Sequence, residues 1–421
     1  MPALDERRDL TIESVAYRGR GIARLDGWAC FVDGVAPGEL VRVRVEKLHR
    51  NFVEARLLDV LQPSADRIAP CCRLPDGTRV PGCVYDHLAY AAELAVKQRQ
   101  LDDFLRRLPG AAQVTMAPPC PSPLDRHYRN KLVLHAQRQA REPQPRLGYY
   151  GDDNRTVIDI PACPLARAEI NTALAAFRQS VEFRRLRQAE SVTFRWTATD
   201  GVVVWRDDHA PTRRHLTELA PCGAMAVPVD GFYQVNPEVA AALMRQVMAW
   251  YAGDASGAAP DAPRPPSASA PNLLDLYCGV GVFALACGKM GAPQVAGIEA
   301  HPAALAAAQA NAVSQAVAAT FHCQAMSAAA QQRFGGLDLT ATTVIVDPPR
   351  QGLEPVVAQA LAAAQPPRIF YISCDPATLT RDLKILLPAG YAIRQARLFD
   401  MFPRTAHFET AVWLERGRDR C

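Results

Sequence analysis

The chain has 421 residues, 49% of them hydrophobic and 21% charged, with a formal net charge of +4. That length exceeds one ordinary domain and leaves room for about two to four, each with its own core. No apolar run reaches the ~18 residues of a transmembrane helix, and MPALDERRDL at the N-terminus has no apolar segment of signal-peptide type, so a cytoplasmic protein without a membrane partner is expected. Twelve cysteines in that compartment are expected to be buried, catalytic or metal-binding rather than disulfide-bonded. The mild positive charge neither demands nor excludes a nucleic-acid partner. Nothing in the chain marks an obligate protein partner, and a monomer is the default expectation.

Residues 10–62 alternate apolar and polar positions in LVRVRVEKL and FVEARLLDVL, with glycine-containing turns between them, which predicts a small five-stranded barrel. Arg18, Arg20, Arg24, Arg42, Arg44, Lys47 and Arg50 give it a basic face, with Tyr17 and Phe52 as stacking platforms for bases. A solvated strand face balanced by Glu and Asp explains the same pattern. Residues 63–228 read as a basic α+β region with a helix at 91–108, free to pack on the catalytic domain, and strands at KLVLHAQ, TVIDI, SVTFRWTA and GVVVWRD. The Pro/Ala/Ser/Gly segment 253–271 cannot build a core and is expected to be a flexible insertion. Beyond it, strand-like and helix-like runs alternate, which predicts a parallel sheet covered by helices, with ligands beyond the carboxyl ends of the strands. The tail reads as two strands joined by a Pro-containing turn. The expected division is therefore 1–62, 63–228 and 229–421.

Four motifs carry chemistry. In LLDLYCGVGVFALA a strand runs into Cys278-Gly279-Val280-Gly281 and then a helix, a turn where backbone can approach a ligand closely. Glu299 ends the next strand eighteen residues beyond Gly281, the position of an acid that takes ribose hydroxyls; a charge at the following helix N-terminus is the alternative. Asp347 ends the buried run VIVDPPRQG, and two prolines fix the turn after it. Arg350, where amino-methyltransferases have an aromatic residue, counts against adenine-N6 chemistry. Cys374, in YISCDPATL, lies between a strand and a helix start, where the dipole favours thiolate. A reactive sulfur is what methylation at a pyrimidine C5 needs, because thiolate addition at C6 makes C5 a nucleophile. A base must then remove the C5 proton, and His407 and Glu409 in AHFE are the candidates.

Together these elements resemble the RNA uracil-C5 methyltransferase family, which makes 5-methyluridine in transfer and ribosomal RNA. Its Ser-Cys-Asn-Pro motif is matched by Ser373-Cys374-Asp375-Pro376, with Asp for Asn, and its closing motif by Asp400, Phe402, Pro403, Thr405, His407 and Glu409. The resemblance implies a Rossmann-like α/β S-adenosylmethionine-dependent methyltransferase domain with an N-terminal OB-like TRAM barrel and a central α+β domain. It implies Cys374 as nucleophile, Glu409 as base, and cofactor contacts from Gln234, Tyr277, Glu299 and Asp347. Val282 and Gln324 depart from the family at two further cofactor positions. HYRNKLVLHA resembles another family segment, which makes Arg129 and Lys131 candidate substrate residues, with surface cations on a strand edge as the alternative. The barrel favours 23S ribosomal RNA over transfer RNA as the target. Transfer-RNA uridine-54 methylation, RNA cytosine-C5 methylation and a non-catalytic RNA-binding role remain the alternatives. Some relatives hold an iron–sulfur cluster on three closely spaced cysteines and a distant fourth. By that resemblance Cys71, Cys72, Cys83 and Cys163 are candidate ligands of a 4Fe–4S cluster, with zinc as the alternative metal, although Val80 stands where the middle cysteine is expected.

Overall fold

A computed structural model describes residues 2–110, 114–139, 144–207, 211, 213–254, 270–332 and 334–417. Most of the expected insertion at 253–271 lies outside the described residues. Two compact units are present. One comprises Met1–Asp102, Leu124–Val192 and Phe402–His407, and the other Asp103–Pro123, Thr193–Met401 and Phe408–Cys421. Compactness thus groups the chain differently from the three consecutive stretches expected from sequence. Among the described residues no helix is long and apolar enough to cross a membrane.

The first unit contains the N-terminal β-barrel. It has six strands rather than the five expected. Arg7–Thr11 adds an edge strand to Leu40–Leu48, and the short strand Ser14–Val15 pairs with Gly21–Leu25. The sequence pattern missed this division because a two-residue strand leaves no alternation to count. Alternate residues Val41, Val43 and Val45 point inward and pack with Val32 and Val53, while Arg42 and Arg44 point outward. The same unit holds an antiparallel ladder of Lys131–Gln137, Arg146–Tyr150 and Val157–Asp159. In the helix Tyr90–Leu105 the fully buried Lys97 donates to Glu93 at 2.7 Å and to the Phe402 carbonyl at 3.2 Å. Glu93 also accepts from the Arg404 backbone N–H at 2.7 Å, and Tyr128 donates to the Pro403 carbonyl at 3.0 Å. Glu93 is also 3.4 Å from the Arg404 guanidinium, so removing it would take a carboxylate from two buried cations, at a cost of ~3–5 kcal/mol.

The second unit is built on an eight-stranded sheet in the spatial order Thr320–Cys323, Val295–Glu299, Asn272–Leu276, Thr342–Val346, Arg368–Ser373, Glu409–Arg416, Tyr391–Phe399, Thr115–Met116. The first five strands are parallel, and Glu409–Arg416 runs antiparallel between Arg368–Ser373 and Tyr391–Phe399. Thr342–Val346 is buried throughout, as expected of a strand covered on both faces. Chain direction away from Asn272–Leu276 reverses between its two neighbours, so the crevice for a ligand opens beyond the carboxyl ends of these central strands. The alternating pattern and the terminal hairpin were both legible in sequence. The two-residue edge strand Thr115–Met116, parallel to Tyr391–Phe399, was not.

Candidate active site

Strand register brings the sequence motifs together. Leu276 pairs with both Ile298 and Val346, so one residue further on Tyr277 lies between Glu299 and Asp347. Ser373 pairs with Thr410 in the antiparallel ladder, so the next residue, Cys374, lies beside Glu409. With strands about 4.8 Å apart, one row along the carboxyl edge holds Glu299, Tyr277 and Asp347, and Cys374 with Glu409 stands two residues further along on the neighbouring strands. Each is the first residue past a buried apolar strand or, for Glu299 and Glu409, its terminal residue.

The turn after Asn272–Leu276 is tightly shaped. Tyr277 has a φ of +63°, a conformation that costs a non-glycine residue about 1–2 kcal/mol and persists only where its surroundings impose it. Gly281, at φ +87°, opens the helix Val282–Gly288, and a Cβ there would come within 3.3 Å of Ala308 and 3.4 Å of Phe321. Asp275 accepts from the Ala284 N–H at 2.9 Å and so ties strand to helix; burial raises its carboxyl well above the ordinary range. A cavity opens over this turn, lined by Phe232, Gln234, Met244, Tyr277, Phe283 and Asp347 among others. Gln234 reaches it from the loop before the helix Pro237–Tyr251. The N-cap Asn236 holds that loop, donating to Ser122 Oγ at 3.0 Å and to the Met401 carbonyl at 3.4 Å.

Three of the four expected cofactor residues therefore line one cavity. Glu299 does not line it: its Oε2 accepts from Gly279 N–H at 2.9 Å and its Oε1 from His301 N–H at 2.8 Å, bracing the turn from behind. Each oxygen retains a lone pair for a ligand hydroxyl. Val282, the departure from the family pattern, lines the cavity, whereas the Gln324 side chain is engaged with Gln332 at 3.0 Å. The cavity is mostly apolar, and the Tyr277 hydroxyl is buried toward the Glu354 backbone and Asp382. An apolar slot walled by aromatic rings with a carboxyl at its edge fits a nucleoside cofactor such as S-adenosylmethionine.

Cys374 is half-buried at the mouth of the helix Pro376–Leu386. Its thiol is pushed up to about 12, first by burial and then by Glu409, Asp347 and Asp375, with Arg350 opposing. The thiolate expected from the helix dipole is thus not the resting state. Asp375 takes the dipole for itself, accepting from Ala377 N–H at 2.8 Å and Thr378 N–H at 3.2 Å. Glu409 is raised well above the carboxylate range by burial and by Asp347, again opposed by Arg350. Burial alone raises Asp347 to about 7. Three protonatable groups and one guanidinium thus act on one another at the strand ends. The sequence reading missed Arg350 as a member of this group; its place directly after Asp347-Pro348-Pro349 was the available signal. His407, the other candidate base, belongs to the first unit, where its ring packs edge-on against Phe402 at 6.3 Å.

The remaining candidates also fall in the first unit. The Arg129 guanidinium lies 6.0 Å from the centre of the Tyr128 ring, with Tyr149 and Cys163 close by, and the residue is half-buried. Lys131 begins the strand Lys131–Gln137 and is half-buried. Cys71 contacts Cys72, and Cys72 contacts Cys83. Cys163, however, is paired with the Tyr149 hydroxyl at 3.5 Å. The contact with Cys72 and then burial raise the Cys71 thiol, and Cys83 and burial raise that of Cys72. Among the described residues no group of three or more His, Cys, Asp or Glu is placed to hold a metal ion. As arranged, the four sulfurs do not fit an iron–sulfur cluster or a zinc ion.

Comparison with known proteins agrees with this geometry. Residues 264–417 match the family model described as tRNA (Uracil-5-)-methyltransferase, and residues 6–58 match the TRAM domain. The 23S rRNA (uracil(1939)-C(5))-methyltransferase of Pseudomonas entomophila is 31% identical over 98% of this chain and 94% of its own. The corresponding protein of Thiobacillus denitrificans is 29% identical over 96% of this chain and 99% of its own. The crystal structure of Pyrococcus abyssi tRNA (uracil-54, C5)-methyltransferase in complex with S-adenosyl-L-homocysteine superposes with a TM-score of 0.72 over 97% of this chain and 100% of that one, at 22% identity. Fold and site thus define a Rossmann-like S-adenosylmethionine-dependent methyltransferase with an N-terminal TRAM barrel. Within that class, the chain belongs to the RNA uracil-C5 methyltransferase family.

Proposed function

We propose that this enzyme methylates C5 of a uridine in 23S ribosomal RNA, with Cys374 as nucleophile and Glu409 as base. The observation that carries the reading is the register that lays Cys374 beside Glu409, one strand from Asp347 and the cofactor cavity. Gln234, Tyr277 and Asp347 would hold S-adenosylmethionine in that cavity, with Glu299 reaching it through the lone pairs left free at its back. When bound, the cofactor supplies an electrophilic methyl group on a positively charged sulfur.

The uridine must leave its stack to bring C6 to Cys374. The Cys374 thiol loses its proton to solvent, the thiolate bonds to C6, and the C5–C6 π electrons move toward C5 and the O4 carbonyl. C5 then takes the methyl group. Glu409 in its ionised form removes the remaining C5 proton, and the electron pair of that C–H bond reforms the C5–C6 double bond as the Cys374–C6 bond breaks. The high resting affinity of Glu409 for protons makes it a strong base once ionised. Arg350 is the cation that favours ionisation of both Cys374 and Glu409.

Support for ribosomal RNA comes from identity over the full chain with the Pseudomonas and Thiobacillus enzymes. Shape does not discriminate, because a transfer-RNA enzyme has the same fold over 97% of this chain. The barrel at 1–62 and the central region at 63–228, with Arg129 and Lys131, would grip the RNA, and 229–421 would carry out methyl transfer in the cytoplasm, where the ribosome is assembled. No step passes through the cysteines of the first unit. The test is methyl transfer from labelled S-adenosylmethionine to 23S ribosomal RNA and to transfer RNA lacking 5-methyluridine. Label at one uridine of the ribosomal RNA, lost in Cys374→Ala, is the expected result. Label only in transfer RNA would overturn the target, and full activity of Cys374→Ala would overturn the mechanism.

A further inference from the structure

We infer that Asp382 is a positioning residue for the methyl-transfer site, clamping the loop Arg350–Leu353 onto the helix that begins beside Cys374. The inference rests on the reading of Cys374 as the nucleophile. Asp382 lies in the helix Pro376–Leu386 and is 1% exposed. Its Oδ2 accepts from the Tyr371 hydroxyl at 2.6 Å and from the Leu353 backbone N–H at 2.8 Å, while its Oδ1 accepts from Arg381 Nε at 2.8 Å. Arg381 in turn donates from Nη2 to the carbonyls of Gln351 at 2.7 Å and Leu353 at 2.9 Å. One turn earlier, Thr378 Oγ1 shares its proton between the Asp375 carbonyl at 3.1 Å and the Arg350 carbonyl at 3.3 Å. The loop closes on the carboxylate through Gly352, at φ +74°, where a Cβ would come 2.6 Å from Asp382 Oδ2 and no larger residue fits.

Four hydrogen bonds from one helix face therefore hold the four-residue loop that follows Asp347-Pro348-Pro349, and a strand tyrosine, Tyr371, holds the Asp382 carboxylate in place. Three side chains spent on a surface loop have a chemical reason here. Arg350 opens that loop, and it is the cation acting on both Cys374 and Glu409, against the carboxyls of Glu409, Asp347 and Asp375 that face the thiol. A guanidinium on a free loop would spend most of its time in solvent, where its field is screened. With the backbone of the loop tied down, the exposed Arg350 side chain starts from a fixed point near Cys374.

The test uses the full-length, cofactor-free protein and needs no methyl transfer: the rate at which iodoacetamide alkylates Cys374, read at that residue by peptide mass spectrometry at fixed alkaline pH. Asp382→Asn and Arg350→Ala are each expected to slow alkylation about threefold to tenfold. Asp382→Asn added to Arg350→Ala is expected to slow it no further, since a clamp without its guanidinium has nothing to position. Arg381→Gln changes a half-exposed residue, removes two of the loop bonds, and should reproduce the effect if Asp382→Asn fails to fold. In steady-state methylation, Asp382→Asn should lower kcat with KM for S-adenosylmethionine unchanged. An unchanged alkylation rate in the folded variants, or a fall that persists in the Arg350→Ala background, would overturn the clamp. Methylation by Cys374→Ala would instead overturn the nucleophile assignment and leave the alkylation result standing.

Discussion

Asp347→Asn isolates the electrostatic cost built into the site. The carboxyl ionises near 3.8 in an unfolded chain and at about 7 in the folded one, with burial as the cause. Between those values the folded protein holds a proton that the unfolded chain has lost, so stability falls as pH rises through the window and is flat outside it. At about 1.4 kcal/mol for each tenfold change in proton affinity, the ceiling is ~4 kcal/mol. Asp347 keeps some surface toward the cavity, so roughly half of that is the expected effect. Asparagine has the same shape and no proton to lose. The stability of Asp347→Asn relative to wild type should therefore improve by ~2 kcal/mol between pH 4 and pH 8, with the whole change above pH 4 and complete by about pH 8. Denaturant unfolding of both cofactor-free proteins across that range measures it. A difference between the two proteins that does not vary with pH would refute the burial argument, and with it the picture of Asp347 as one of the groups holding the Cys374 thiol neutral.

Glu409→Gln should lower kcat at least ~100-fold and leave a protein–RNA adduct that survives denaturing electrophoresis, because the C5 proton stays in place and Cys374 cannot depart. Loss of activity without adduct would point to an earlier step. Asp375→Asn keeps the helix cap, so its thermal midpoint should change little; with one carboxylate fewer against the thiol, Cys374 should be alkylated a fewfold faster at alkaline pH. A slower rate would mean that the cap matters more than the charge. Protein purified without oxygen should contain no stoichiometric iron or acid-labile sulfide, since Cys163 is engaged with Tyr149 and Val80 supplies no ligand. Four irons per chain with a broad visible absorption band would contradict this.

The ends of the parallel strands were legible because apolar strands finish at Asp347 and just before Cys374, and parallel strands bring such ends to one edge. Glu409, which opens the antiparallel strand Glu409–Arg416, was proposed from the AHFE segment and the family's closing motif, and Tyr277 and Gln234 through the family resemblance. The state of the sulfur was not legible. A helix start argues for thiolate, but the sequence could not show that Asp375 consumes the dipole or that Asp347 and Glu409 stand against the thiol from neighbouring strands. Glu299 was located correctly as a strand end, yet its carboxylate faces the Gly279 and His301 amides rather than lining the cavity, an orientation no spacing rule contains. Arg350 and Asp382 escaped because their partners are thirty or so residues apart in sequence and meet only across a helix and a loop. Arg129 was a candidate substrate residue with a surface cation as the alternative, and tertiary packing brings Tyr149 and Cys163 close to it, neighbours that no local pattern shows.

The central claim is a covalent bond between Cys374 and C6 of the target uridine. Incubating the enzyme with S-adenosylmethionine and ribosomal RNA that carries 5-fluorouridine tests it directly, because fluorine at C5 cannot be removed as a proton and elimination stalls. A methylated nucleotide attached to the tryptic peptide containing Cys374, and absent in Cys374→Ala, is the predicted result. Methyl transfer to unmodified RNA without any such adduct, or an adduct mapped to another cysteine, would contradict it.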